Sequence, residues 1–143
     1  MLSITCKVAI KAVIFIGFRY MSERKSGIKE IAGFINESEH TVGKTLQKLV
    51  KDDVVKSAKG PGGGFYITPE QKEQPISKII EAVDGKEVFN SCGLGLSRCS
   101  DEHPCPIHKF YKPIRDMYRS VCHEKKIGDL DESVFKGVAY LSD

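Results

Sequence analysis

Apolar residues recur at helical spacing from about residue 4 to 21, with Val8, Ala12, Phe15, Ile16 and Tyr20 on one face and others filling in around them. Lys7, Lys11 and Arg19 interrupt or bound the apolar run 8–20, which is too short to span a bilayer and precedes no small-residue cleavage site. It reads as a buried first helix. A polar hinge at 22–27 follows, and Ile28, Ile31, Ala32 and Ile35 then predict a short second helix that stops near Asn36. Ser38 can cap the next helix and Glu39 complements its dipole. That third helix turns Val42, Thr45, Leu46, Leu49 and Val50 inward and leaves His40, Thr41, Lys44, Gln47, Lys48 and Lys51 on other faces.

Two short helices joined by a tight turn, the second carrying Lys and small polar groups, predict a helix-turn-helix that lays one helix in the DNA major groove. Two strand-like runs, 54–58 and 65–68, are joined through Lys59-Gly60-Pro61-Gly62-Gly63-Gly64. A hairpin in this place is a wing. Its glycines allow close backbone approach to a phosphate or a narrow groove, and Lys59 supplies charge. A nucleotide-binding phosphate loop would need a Gly-Lys-Ser/Thr ending and a following helix, which are missing. The candidate DNA contacts are Ser38, His40, Thr41, Lys44, Lys48, Lys59, Gly62, Gly63 and Gly64.

Residues 69–75 read as a polar linker, and Ile76, Ile79, Ile80 and Val83 as a short helix ended by Asp84-Gly85. Beyond a glycine-rich stretch, Ile107, Phe110, Ile114, Met117 and Val121 are spaced 3, 4, 3 and 4, an apolar seam two heptads long with Tyr111 and Tyr118 alongside. A long amphipathic helix appended to a winged module is most economically a dimerisation helix. Val134, Phe135, Val138 and Leu141 suggest a final helix in the tail 127–143. The expected fold is therefore mainly α with a small β-wing. Residues 1–75 form a winged helix-turn-helix DNA-binding domain, and 76–143 carry the glycine-rich loop and the long dimerisation helix.

Charge strengthens the nucleic-acid reading. The formal net charge of +3 divides unevenly, with 11 Lys/Arg against 6 Asp/Glu in residues 1–68 and 11 against 13 thereafter. A basic front half suits an acidic partner. The composition, 41% hydrophobic and 29% charged, is that of a globular chain able to bury a core.

Three of the five cysteines fall in the glycine-rich stretch, as Cys92, six residues, Cys99, five residues, Cys105, with His108 three positions beyond. Thiolates and imidazole suit zinc or iron–sulfur clusters, and Gly93, Gly95, Ser97 and Ser100 allow one loop to turn several side chains toward one point. Pro106 predicts a helix start, placing Cys105 at its mouth and His108 about one turn in, where the partial positive charge favours a thiolate. Cys6 and Cys122 read as packed thiols. With no export signal the chain is expected in a reducing cytoplasm, where clustered cysteines bind metal more often than they pair. Spacing does not choose between zinc and iron–sulfur. A CCCH-type zinc module and a metal-free thiol switch on the same fold stay open. An enzyme is not expected, since Cys105 and His108 have no orienting partner or pocket signature.

The order winged helix, short helix, three-cysteine loop and long helix resembles the Rrf2 family of bacterial transcription regulators across essentially the whole chain. The wing Lys59-Gly-Pro-Gly-Gly-Gly-Phe65, the run from Ile31-Ala32 to Leu46-Gln47-Lys48-Leu49 and the cysteine loop carry the likeness. The resemblance implies a homodimer on a pseudo-palindromic operator in double-stranded DNA, with Cys92, Cys99 and Cys105 holding an iron–sulfur cluster that senses redox state, nitric oxide or iron–sulfur supply. It implies His108 as fourth ligand and a [2Fe–2S] rather than a [4Fe–4S] centre, because residues 1–20 lack the aspartate of the nitric-oxide-sensing type. Two departures stand out. The first cysteine gap is six residues where the family commonly has five, and Lys59 replaces the usual arginine, keeping charge but losing bidentate readout.

Overall fold

The computed structural model describes residues 2–141. Its first helix, α1 (Ile4–Tyr20), is capped by the Ser3 hydroxyl, which accepts a hydrogen bond from the Cys6 amide. Val8, Ala12, Val13 and Ile16 on α1 are fully or almost fully buried. The other elements assemble around this helix because its apolar residues leave little polar face. Helix α2 (Ile28–Ile35) ends at Asn36, which adopts the left-handed conformation with φ 56°. Helix α3 (Glu39–Lys51) opens on Ser38, whose hydroxyl accepts from the Thr41 amide. Ile31 from α2 and Val42, Leu46 and Leu49 from α3 close on α1, burying the apolar stripes that the spacing predicts.

The wing is shorter than the sequence suggests. Strands β1 (Lys56–Ala58) and β2 (Gly64–Tyr66) pair antiparallel with Ser57 opposite Phe65, while Val54, Val55 and Ile67 leave the ladder to enter the core. The hinge contributes as well. Ser26 exchanges two backbone hydrogen bonds with Phe65, at 3.0 and 2.8 Å, tying the wing to the α1–α2 connection. A Cβ on Gly63 would overlap the carbonyl oxygen of Ala58, so this turn admits only glycine there. Val50 is half-buried rather than fully inward.

The polar stretch after the wing is not an irregular linker. It forms a one-turn helix, α4 (Pro69–Lys72), with a capping box between Thr68 and Gln71, and the buried Gln71 side chain donates to the Asp53 carbonyl at 3.1 Å. Helix α5 (Ser77–Asp84) ends at Gly85 and a 3-10 turn, Lys86–Phe89, leads into the cysteine loop. The long helix α6 (His108–Glu124) starts two residues later than Pro106 suggests. Pro106 and Ile107 form a turn in which the Cys105 carbonyl accepts from the His108 amide at 3.0 Å, so His108 is the first helical residue rather than a turn inside. Ile107 precedes the helix as its N-cap, half-buried at the start of the predicted seam.

Helix α7 (Ile127–Phe135) packs on α1, with Ile127 in the main core and Asp131 buried beside Lys72, whose ammonium lies 2.8 Å away. It ends before Val138 and Leu141, and the last two residues of the predicted tail lie outside the described residues. A second, smaller core joins α1, α5, the 3-10 turn and α6 through Cys6, Ile80, Phe89 and Cys122. Both thiols are packed as expected. Burial and then the neighbouring Asp84 push Cys6 up to about 12, which makes it chemically inert near neutral pH. No helix among the described residues is long and apolar enough to cross a membrane.

Candidate nucleic-acid interface and candidate metal centre

Helix α3 presents its polar side where the helical period leaves it. His40, Thr41, Lys44 and Lys48 line a shallow groove of about 330 Å³ whose floor is the buried Thr45. Thr45 spends its hydroxyl on the Thr41 carbonyl at 2.8 Å, and Ser38 binds the Thr41 hydroxyl at 2.8 Å, so the first turn is held rigidly. The opposite wall carries Thr5 from the first turn of α1, a residue the sequence pattern did not single out because it lies on the exposed side of a core helix. Lys44, Lys48 and Lys59 join no ion pair among the described residues, which leaves their charge available to an external anion. Lys59 and Gly62 are exposed at the wing tip, whereas Gly63 and Gly64 are half-buried and shape the turn.

The cysteine loop lies against one face of α6. Gly93 meets the Tyr111 ring so closely that a Cβ there would stand 2.7 to 2.9 Å from three ring atoms. Glycine is required at this position for contact rather than for backbone conformation. Gly93→Val is expected to lift the start of the loop from α6. Hydrogen exchange should then show faster exchange confined to residues 92–98, with α1–α3 unchanged.

Within the loop the four soft donors come together as two pairs. Cys99 Sγ lies 3.4 Å from His108 Nδ1, and Cys105 is near enough to Cys92 to help lower its pKa. Among the described residues no group of three or more His, Cys, Asp or Glu side chains converges as a preformed metal cage. Cys92 is nonetheless prepared as an anion. Its thiol is held below its ordinary value first by the Leu94 amide and next by that of Leu96, with smaller help from Cys105 and Gly95. The Leu94 amide donates to the sulfur at 3.4 Å.

His108 is buried and its outer nitrogen is engaged. Nε2 lies 2.8 Å from Asp101 Oδ1, and the other carboxylate oxygen accepts from Lys112 Nζ at 2.7 Å. Lys112 first, and His108 second, hold the Asp101 carboxyl below the usual carboxylate range, so Asp101 accepts and Nε2 carries the proton. Nδ1 is then the ring nitrogen that faces Cys99. A carboxylate on the far nitrogen of an imidazole is the usual arrangement around a histidine that binds metal. Arg115 lies one face-repeat along α6, buried, and reaches back to the loop. The spacing of His108, Lys112 and Arg115 at i, i+4 and i+7 is the signal by which these partners could have been found.

Among the described residues, the opposite face of α6 is left largely uncovered. Phe110, Ile114, Met117 and Val121 are 74, 56, 72 and 49% exposed, although they form the apolar stripe. One helix therefore carries the loop on one side and an uncovered apolar seam on the other.

Comparison with known proteins agrees with this layout. A family model, Rrf2, described as an iron-dependent transcriptional regulator, matches residues 2–133. An HTH-type transcriptional regulator of Aquifex aeolicus is 27% identical over 128 residues, 88% of each chain. The HTH-type transcriptional regulator IscR of Escherichia coli is 25% identical over 85 residues, 59% of this chain and 52% of that relative. Among solved structures, CymR, the global cysteine regulator of B. subtilis, superposes with a TM-score of 0.74 at 20% identity, covering 92% of this chain and 96% of the other. T. potens IscR superposes with a TM-score of 0.71 at 16% identity over 98 and 92%.

Proposed function

Since the chain belongs to the Rrf2 family of transcriptional regulators, we propose that it is a homodimeric, operator-binding regulator whose DNA affinity answers to an iron–sulfur cluster held in the Cys92–Cys99–Cys105–His108 loop. Residues 1–75 act as the reading unit and 76–143 as the sensing and pairing unit. Family and neighbours are regulators rather than enzymes. Lys44, Lys48 and Lys59 contact phosphates; His40 and Thr41 face base edges, with Ser38 holding the first turn and Gly62 at the wing tip. Two such heads about a twofold axis read a pseudo-palindromic site, and the exposed seam of α6 is what pairs them.

The donor set fits a cluster. Three thiols and an imidazole share one loop, backbone amides point at Cys92, and Asp101 leaves His108 Nδ1 turned toward Cys99. Cys92, Cys99, Cys105 and His108 would hold the group, which when bound supplies one-electron redox chemistry and reactivity toward oxidants and nitric oxide. The resemblance to the histidine-bearing members of the family favours a [2Fe–2S] form. Asp101 keeps the histidine tautomer, Lys112 keeps Asp101 ionised, and Tyr111 packs over Gly93 to hold the loop against α6.

The observation that carries this reading is the 3.4 Å approach of Cys99 in the loop to His108, the first residue of the helix whose far face is the uncovered seam. Any change in loop order is thereby passed to the helix that sets the spacing of the two DNA-reading heads. A second reading keeps the fold and replaces the cluster with thiol chemistry. The nearness of Cys105 to Cys92, felt in the lowered Cys92 pKa, favours it, since neighbouring thiols can pair under oxidant. Anisotropy titrations on operator fragments selected from a random library separate these cases. Cluster-dependent regulation predicts affinities that differ by about tenfold or more between anaerobically loaded and metal-free protein. Identical affinities for loaded, metal-free and oxidised protein on every selected site would contradict both readings.

A further inference from the structure

Arg115 is the charged group that the reading so far leaves unexplained. It sits in the middle of α6, only 6% exposed. A guanidinium stays ionised at any pH a protein survives, so its burial has to be compensated. Its Nη1 donates to the carbonyl oxygens of Asn90 at 3.1 Å and Ser91 at 3.2 Å, the two residues immediately before Cys92. Its Nη2 reaches Asp116 Oδ1 at 3.2 Å, but that same oxygen is shared with Arg119 at 3.3 Å. One carboxylate oxygen thus divides its charge between two guanidinium groups. Nε of Arg115 is buried and has no hydrogen-bond partner.

A buried cation with a divided counterion and one unpartnered N–H, tied to the two residues just before Cys92, is suited to a nearby anion. The anion within reach is the sulfur-rich centre of the loop. We infer that Arg115 is a positioning residue that clamps the start of the cysteine loop to α6 through the Asn90 and Ser91 carbonyls and supplies the fixed positive charge of the loop's centre. The inference deepens the proposed function, and its charge half rests on that reading, whereas the clamp is a property of the metal-free chain. The planar fork lets one side chain hold both carbonyls through Nη1 and Asp116 through Nη2 while Nε–H stays free. Lysine could supply the charge but not the fork.

The metal-free protein tests the clamp. Arg98 lies exposed in the loop and offers trypsin a cleavage site. Arg115→Gln and Arg115→Lys should both be cut after Arg98 about tenfold faster than wild type or more, because neither side chain can hold the loop carbonyls and Asp116 at once through separate donors. Cleavage at the wild-type rate in both variants would overturn the clamp. Should Arg115→Gln fail to fold, shown by its far-UV spectrum, Arg115→Lys carries this test. The charge is tested on loaded protein by the midpoint potential. Arg115→Gln should be harder to reduce than wild type, with Arg115→Lys restored toward it, since removing a neighbouring positive charge disfavours the more negative reduced state. Equal potentials in all three would overturn the charge role. A wild-type protein that takes up no iron would instead be a failure of the cluster reading and of the charge role with it, and the cleavage rates would still decide the clamp.

Discussion

Met117→Glu should leave a folded protein that sediments as a monomer and binds operator DNA roughly two to four orders of magnitude more weakly than wild type. Met117 is 72% exposed and lies at the centre of a stripe with Phe110, Ile114 and Val121. Covering such a stripe with a second copy contributes about 1.5–3 kcal/mol for each large apolar side chain fully buried. A carboxylate introduced there would be buried without a partner and cost a few kcal/mol on each side of the twofold axis. Monomer folding is untouched, because the wild-type side chain already faces solvent within one chain. The loss of affinity comes from geometry. Two linked heads meet a palindrome at millimolar effective concentration, and a lone head forfeits that gain. Sedimentation velocity with anisotropy on one operator fragment checks both halves, and a variant that stays dimeric with unchanged affinity would contradict the pairing role of α6.

Replacing Lys44 and Lys48 together with Ala should act differently. Neither lysine forms an ion pair among the described residues, and both line the groove on the exposed side of α3. Each phosphate contact removed lowers the slope of log K against log salt by about 0.9. Two lysines on each of two heads would then lower it by about 3.6. Affinity should fall for operator and for unrelated DNA alike, because phosphate contacts carry no sequence information. His40→Ala, by contrast, should reduce discrimination between operator and unrelated DNA while leaving the salt slope unchanged. A double-lysine variant with the wild-type slope would place the DNA on another face.

The helix-turn-helix was legible because periodicity and capping agree there. Ser38 both follows the apolar stripe of α2 and has the hydroxyl that an N-cap needs, and the structure uses it so. The wing was legible from its glycines, but its strand lengths were not. Val54, Val55 and Ile67 have strand propensity and serve the core instead, a tertiary choice that a local pattern does not contain. The stretch after the wing was misread because Pro69 and Glu70 look like linker residues. The capping box needs Thr68 and Gln71 to be considered together. Pro106 pointed to the start of α6 to within two residues, but the turn at Ile107 delays the helix. The soft donors stood out by residue type alone. Asp101 and Arg115 did not, since an acidic and a basic residue on a polar stretch look solvated until the fold places them beside His108 and Cys99.

Anaerobic purification followed at once by a visible absorption spectrum with iron, sulfide and zinc assays, on wild type, Cys99→Ala and His108→Ala, tests the central claim most directly. The account predicts a coloured wild-type protein containing iron and sulfide, bleached by Cys99→Ala and spectrally shifted by His108→Ala. A colourless wild-type protein, holding zinc or holding no metal after anaerobic reconstitution with iron and sulfide, would contradict it and leave a winged-helix regulator switched by other means.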